Sequence, residues 1–162
     1  MPRRTRWTLG ASGLLVVVVA IALGASAVGA KPAGKPDSGT AYVAVTHSVG
    51  PINVAAGDAT DKVTGAGAVV YRIHVLTTTK PGTLAIKANK VTAYSATGSL
   101  TGTAVSKLTI LDSKGNATVS NGVLTLTNGT GGEKGHSLTA KFTGKGNINT
   151  GQYRFNYVGT YR

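Results

Sequence analysis

Residues that could carry out acid–base chemistry are few in this chain and lie far apart. It has five acidic residues and three histidines in 162 residues. Asp37 lies in a segment rich in proline and glycine, Asp112 in a predicted hairpin turn and Glu133 in a glycine-rich loop. General acid–base and glycosidase chemistry need two carboxylates held rigidly on one face of an element, and the pattern contains no such pair. The sequence therefore predicts no catalytic residues.

Metal and cofactor binding have equally little support. His47, His74 and His136 lie on separate segments, and none has a second histidine at the spacing of common metal motifs. Asp58 and Asp61 share the loop GDATDKVTG, which lacks the full oxygen set of known calcium motifs. The chain has no cysteine, which excludes disulfides, zinc–thiolate sites and cysteine nucleophiles. We expect no metal and no cofactor.

The nearest approach to a motif is the stretch TNGTGGEKG at 127–135. A phosphate-binding P-loop requires Gly-Lys-Ser/Thr, but here Lys134 follows Glu133 and precedes Gly135. The dinucleotide pattern G-x-G-x-x-G also fails, because Lys134 stands at its last glycine. No G-x-S-x-G elbow for a serine nucleophile occurs in the chain. Glycines at these positions are typical of a hairpin loop, so the stretch is predicted to be a turn.

The elements around these residues are predicted to be strands. From Thr40 onward, apolar and polar residues alternate with a period of two, and no helical stripe of period 3.6 occurs beyond Ala30. The pattern gives seven or eight strands joined by glycine-rich turns, which favours an all-β barrel or a sandwich. A change of phase predicts a bulge near Asn89, and Asn121-Gly122 predicts a bend.

The last strand favours a barrel over a sandwich. Tyr153, Phe155, Tyr157 and Tyr161 share one face, and large aromatic side chains in such a row must point inward. Alanine, glycine and threonine dominate the other strands, so large and small side chains would face each other across a narrow interior. We expect a single antiparallel β-barrel of about eight strands. The predicted ligand-binding interior consists of Tyr153, Phe155, Tyr157, Tyr161, Tyr71 and Phe142.

The end of the chain, from GVLTLTNGTGGEKGHSLTAKFTGKGN to YRFNYVGTYR, resembles small secreted β-barrels of the allene oxide cyclase and dirigent type. Gly129-Thr130-Gly131 matches the turn of that family, and Gly135 matches the glycine that restarts the next strand. The family usually has an aromatic residue after the turn, where this chain has Gly132-Glu133. The resemblance implies an eight-stranded barrel, and it brings no catalytic residues because no motif that bears them is present.

The first thirty residues have the order of a secretory signal peptide. Arg3, Arg4 and Arg6 precede the apolar run LLVVVVAIAL, and ASAVGA offers cleavage after Ala27 or Ala30. Residues 1–30 are therefore predicted to be a signal peptide, 31–40 a flexible linker and 41–162 the barrel domain. The protein is expected to be secreted or extracytoplasmic in a bacterium, by the Sec or the twin-arginine route. An uncleaved membrane anchor is the alternative, because Thr8 to Ala30 carries no charge.

The formal charge of +12 favours an anionic binding partner. Removing Arg3, Arg4 and Arg6 leaves 14 positive residues against five acids, or 14 − 5 = +9. Nucleic acid is not expected, because the strand YRFNY, which interleaves arginine with aromatics, places those aromatics in the core. Anionic cell-wall polymers or phospholipid surfaces are more natural partners outside a cell.

Three functions follow, in decreasing order of support. The first is non-enzymatic binding of a small apolar ligand inside the barrel. The second is a cell-surface or matrix protein that binds anionic polymers through its lysines and has a filled interior. The third, an isomerase or cyclase like the allene oxide cyclases, is implied by the resemblance alone. No residue pattern supports enzyme activity, and none sets the oligomeric state.

Overall fold

The computed structural model describes residues 33–78 and 80–162, with the backbone alone at Thr77. The predicted signal peptide and both of its cleavage points lie outside the described residues. No helix in the described ranges is long and apolar enough to cross a membrane.

The described chain forms eight antiparallel strands that close into one barrel. The strands are β1 (Lys35–Val49), β2 (Ile52–Asp61), β3 (Gly65–Thr77), β4 (Thr83–Tyr94), β5 (Gly98–Ile110), β6 (Asn116–Gly131), β7 (Leu138–Asn147) and β8 (Gln152–Tyr161). Each strand pairs with the next along the chain, and β8 pairs with β1, which makes an up-and-down barrel. The predicted all-β fold and single barrel are confirmed, and the sandwich is wrong.

The predicted linker at 31–40 is wrong for residues 35–40, which belong to β1. Lys35 pairs with Tyr161 at the end of β8, whereas pairing with β2 starts only at Gly39. Residues 35–38 therefore have a strand on one side only. An open side tolerates Pro36, because the missing N–H costs no ladder bond there. Pairing with β8 thus orders a segment whose composition alone indicates a linker, and residues 31–32 lie outside the described part.

The barrel has two ends that differ in their connections. One end, here called the acidic end, contains the start of β1, the end of β8 and the β2–β3, β4–β5 and β6–β7 connections. The opposite end, here called the open end, contains the remaining connections, which are β1–β2, β3–β4, β5–β6 and β7–β8. Strand alternation sends one row of side chains from each strand into the space between these ends.

Aromatic residues of β8 lie over glycines of the neighbouring strands. Phe155 pairs with Gly144 and Tyr153 with Gly146, both on β7. A Cβ built on Gly144 would lie 2.5 Å from Cδ1 of Phe155, so only glycine leaves room for the ring. Rings packed over glycines in this way stabilise strand pairing and let a narrow barrel close. Large and small side chains therefore meet on adjacent strands, whereas across the interior Phe155 faces another aromatic residue, Tyr71.

Two bulges lie where the sequence predicts irregularity. The register of β4 against β5 shifts between Ala88 and Val91, so that both keep pointing inward while Asn89 and Lys90 point out. On β6, the register against β7 shifts at Asn121, the one non-glycine residue with positive φ (52°) among the described residues. Both predictions are confirmed.

Candidate functional site

The six aromatic residues predicted to line a ligand site all border the barrel interior. Phe155 is central, with its ring centroid 6.3 Å from that of Tyr71 and 5.6 Å, edge to face, from that of Phe142. These three residues, here called the aromatic layer, border two separate spaces. The six residues predicted to line one interior therefore border two spaces. Tyr153 lies on the open-end side of the layer, and Tyr157 and Tyr161 lie on the acidic side.

The larger space, the open-end cavity, has a volume of about 470 Å³. Its wall is made by aliphatic and aromatic side chains from all eight strands or their open-end connections. These side chains include Ala55, Ile73, Ile86, Ala88, Ala104, Leu108 and Val119. Neutral polar side chains stand at its mouth, namely Ser48, Asn53, Asn149 and Thr150. Such a cavity lies within the range of roughly 300–1,000 Å³ found for small-molecule sites.

Tyr71 and Tyr153, which border the open-end cavity, stay uncharged at neutral pH. Burial raises the pKa of Tyr71 to about 12. Burial also raises the pKa of Tyr153 above its ordinary value. Hydroxyls in this state can donate a hydrogen bond to a ligand without bringing charge into an apolar space.

The smaller space, the acidic pocket, has a volume of about 60 Å³ and lies at the acidic end. Three of the five acidic residues border it, namely Asp37, Asp61 and Glu133. Tyr157 and Tyr161 from β8, the strand that pairs with β1, also line it. Burial, followed by the charges of Asp61 and Asp37, raises the pKa of Tyr157. Burial and the hydrogen bond to Glu133 raise the pKa of Tyr161. An acid-lined pocket was not predicted from the sequence.

Glu133 lies in the predicted turn, and its side chain is buried at 4% exposure. Its carboxylate accepts hydrogen bonds from the hydroxyls of Tyr161 (2.6 Å), Ser95 (2.7 Å) and Thr97 (3.2 Å). Burial alone would raise the pKa of Glu133, but these three donors outweigh it and hold the pKa below its ordinary value. Only 132–135 form a turn, because 127–131 belong to β6, so the predicted turn is confirmed for the second part of the stretch and wrong for the first. The Glu133 carboxylate joins this turn to two other segments.

Asp37 lies in the segment that was predicted to be a flexible linker. It points into the barrel at 2% exposure, and burial, then the charge of Asp61, raises its pKa. A usable signal was present in the sequence, because Asp37 is in phase with Ala41 and Val43, both of which point inward. Asp61 is likewise in phase with Ala55 on β2, whereas Asp58 is exposed on the outer face. Asp58 and Asp61, which were considered as a possible calcium-binding pair, therefore point to opposite faces of β2.

The described residues contain no group of three or more histidine, aspartate or glutamate side chains that could hold a metal ion. His47 is exposed beside a bulge of β1, His74 is half-buried on β3, and His136 stacks on Tyr161 with ring centroids 5.1 Å apart. The histidines thus remain on separate segments.

Comparison with known proteins identifies no relative of this chain. No protein-family model, curated protein or solved structure matches this chain. The resemblance to allene oxide cyclase and dirigent barrels therefore stays a prediction.

Proposed function

We propose that this protein is a secreted, non-enzymatic barrel that binds a small apolar molecule in the open-end cavity. The observation that carries this proposal is the 470 Å³ cavity with an apolar wall and a neutral polar mouth. Natural interiors are packed to about 0.75 of their volume, and small barrels are usually filled by their own side chains. Alanines at buried wall positions, namely Ala55, Ala88 and Ala104, leave space that leucine or valine would fill.

The chemistry of the wall selects the ligand class. The wall contains no charged residue, so a charged ligand would lose its hydration without a partner. Each buried CH₂ contributes about 0.8 kcal/mol to transfer from water. The mouth residues Ser48, Asn53 and Asn149 offer hydroxyl and amide groups to one polar end of the ligand. The proposed ligand is an uncharged, mainly apolar molecule with a hydroxyl or carbonyl at one end.

Native mass spectrometry on protein purified from its own secretion medium tests the proposal. A stoichiometric extra mass that is lost on denaturation would support a ligand-holding barrel and identify the ligand. A bare polypeptide that also fails to take up n-octanol would overturn it. The same spectrum tests export, because a mature chain that starts at Val28 or Lys31 supports cleavage of the proposed signal peptide.

The distribution of charge favours binding of anionic polymers as a second candidate. Three of the five carboxylates point into the barrel, so the outer surface keeps most of its cations without acidic neighbours. Arg72 on β3 pairs directly with Lys90 on β4, and Lys145 on β7 pairs with Arg154 on β8. Like charges directly opposite one another destabilise a sheet, and an anionic partner would relieve this repulsion.

A salt series tests this second candidate. Retention on anionic cell-wall material should disappear between about 0.05 M and 1 M salt, because screening shortens the reach of surface charges. The paired variant Arg72→Gln with Lys90→Gln should elute at lower salt than the wild type. Retention that does not change with salt would overturn the candidate.

A further inference from the structure

A carboxylate without a partner lies in the acidic pocket. Asp37 is 2% exposed, and neither of its oxygens has a hydrogen-bond partner of good geometry within the described residues. The backbone N–H groups of Ser38, Lys62 and Val63 lower its pKa, but burial and the charge of Asp61 outweigh them. Buried carboxylates are nearly always paired or hydrogen-bonded, because an unpaired buried charge costs several kcal/mol. Asp37 therefore has both oxygens available for a cation that enters the pocket.

The other two carboxylates of the pocket already accept hydrogen bonds from nearby donors. Asp61 accepts the backbone N–H of Val63 at 2.8 Å and both the N–H and the hydroxyl of Thr64. Glu133 accepts three hydroxyls, as described above. These two carboxylates fix the shape of the pocket and add negative potential, and Asp37 is left to contact a ligand.

The size and walls of the pocket restrict that ligand. Its volume of about 60 Å³ has room for only a few water-sized groups, since one such group needs roughly 10–15 Å³ of cavity volume. Gly159 pairs with Asp37 across the β1–β8 seam, so no side chain stands between Tyr157 and Tyr161 at that level.

We propose that the acidic pocket binds the ammonium group of a small primary amine, with Asp37 as its direct acceptor. An ammonium carries three N–H donors on one compact centre, which suits two free carboxylate oxygens in a narrow pocket. A resident metal ion is a poorer match, because no metal-holding group of side chains occurs in the described ranges. The stem of the amine points toward solvent at the acidic end, away from the aromatic layer.

Protonation of Asp37 is the competing way to remove its charge. The titratable groups that face it are Asp61 from β2, Glu133 from the β6–β7 loop, and Tyr157 and Tyr161 from β8. Two of these are acids and none is a cation, so they favour the protonated form. A bound ammonium opposes them. Amine affinity should therefore rise as the pH increases above the ordinary aspartate value of 3.8 and level off once Asp37 is ionised.

An NMR titration of the full mature chain with methylammonium chloride at pH 7 tests the proposal. Sodium chloride at the same ionic strength is the background. We expect saturable shifts confined to acidic-end amides such as Ser38 and Lys62. Asp37→Asn should weaken binding about tenfold or more, since a charge-assisted hydrogen bond is lost. Asp58→Asn, the same change on the outer face, should leave the affinity unaltered.

Three results would overturn the proposal. They are shifts that do not saturate, equal affinity in Asp37→Asn, and equal affinity of wild type for tetramethylammonium, which is larger and has no N–H group. The last comparison needs no variant and decides the question even if Asp37→Asn fails to fold. The open-end cavity lies on the other side of the aromatic layer. Failure of this titration would therefore leave the proposed apolar ligand untouched, and the reverse holds as well.

Discussion

The hydroxyl of Tyr161 donates a hydrogen bond of 2.6 Å to Oε2 of Glu133. Tyr161 is the last residue of β8, and Glu133 lies in the β6–β7 loop. Oε1 of the same carboxylate accepts the hydroxyls of Ser95 and Thr97 in the β4–β5 turn. One buried carboxylate thus joins three segments from across the sequence and closes the acidic end. Hydrogen bonds to a buried charge are stronger than neutral ones, which makes this contact a main support of that end.

Tyr161→Phe should lower the free energy of unfolding by about 1–3 kcal/mol, because a buried carboxylate loses one of its three donors. Urea unfolding followed by circular dichroism measures the change. Tyr94→Phe is the matched control, since Tyr94 is 49% exposed and its hydroxyl should matter by less than about 0.5 kcal/mol. Equal losses in the two variants would show that the contact does not stabilise the fold.

Glu133 should make stability fall in acid. Its pKa is below the ordinary 4.5, so the folded state binds fewer protons than the unfolded state around that pH. Its contribution is therefore present above about pH 4.5 and is lost as the pH falls through the folded value. Urea midpoints measured from pH 7 to pH 3 should decline less steeply in Glu133→Gln than in wild type. Parallel declines would contradict the assignment.

Asp37 should act with the opposite sign. Its pKa is raised, so the folded state binds more protons than the unfolded state, and stability falls as the pH rises above 3.8. Without added amine, Asp37→Asn should be roughly 1 kcal/mol more stable than wild type at pH 7, because it removes a buried charge. The difference should shrink toward pH 3. A variant less stable than wild type at pH 7 would show that Asp37 has a favourable partner.

Much of the fold could be predicted because its determinants are local. Alternation is visible within each strand, and the row Tyr153, Phe155, Tyr157 already indicates which face points inward. The bulge at Asn89 follows from a change of phase inside β4. Closure of the barrel depends on residues far apart in the sequence. It is predicted because the aromatic face of the last strand needs small side chains on other strands.

The acidic pocket could not be predicted because its members meet only after the barrel closes. Asp37, Asp61 and Glu133 come from β1, the end of β2 and the β6–β7 loop. The composition around Asp37 indicates a linker, and only pairing with β8 turns that segment into a strand. The division of the aromatic residues between two spaces has the same origin, because Phe155 packs near Tyr71 and Phe142 only once the barrel has closed.

Gly144→Ala tests the packing of rings over glycines. The added Cβ would lie 2.5 Å from the ring of Phe155, so the ring or β7 must move. Overpacking of this kind costs about 1–3 kcal/mol of unfolding free energy. Thr143→Val is the neighbouring control because Thr143 points outward and valine keeps its branched shape. A loss in Gly144→Ala no larger than in the control would mean that the ring has free space.

Ala104→Leu tests whether the open-end cavity is the ligand site. Ala104 is buried at 5% exposure and borders the cavity opposite Ala88 on β4. The larger side chain would enter empty space, so stability should change by less than about 1.5 kcal/mol. In wild type, affinity for n-alkanols should rise roughly fourfold per CH₂, the equivalent of about 0.8 kcal/mol. In Ala104→Leu this rise should stop at a shorter chain, as measured by isothermal titration calorimetry.

Val105→Leu is the control for this change, because Val105 is next in the chain and 48% exposed on the outer face. It should bind the alkanol series as wild type does. If Ala104→Leu folds and keeps the full chain-length dependence, alkanols bind elsewhere and the cavity is not the site. If both variants lose binding equally, the effect comes from β5 as a whole. A loss confined to Ala104→Leu assigns the apolar ligand to the space between the aromatic layer and the open end.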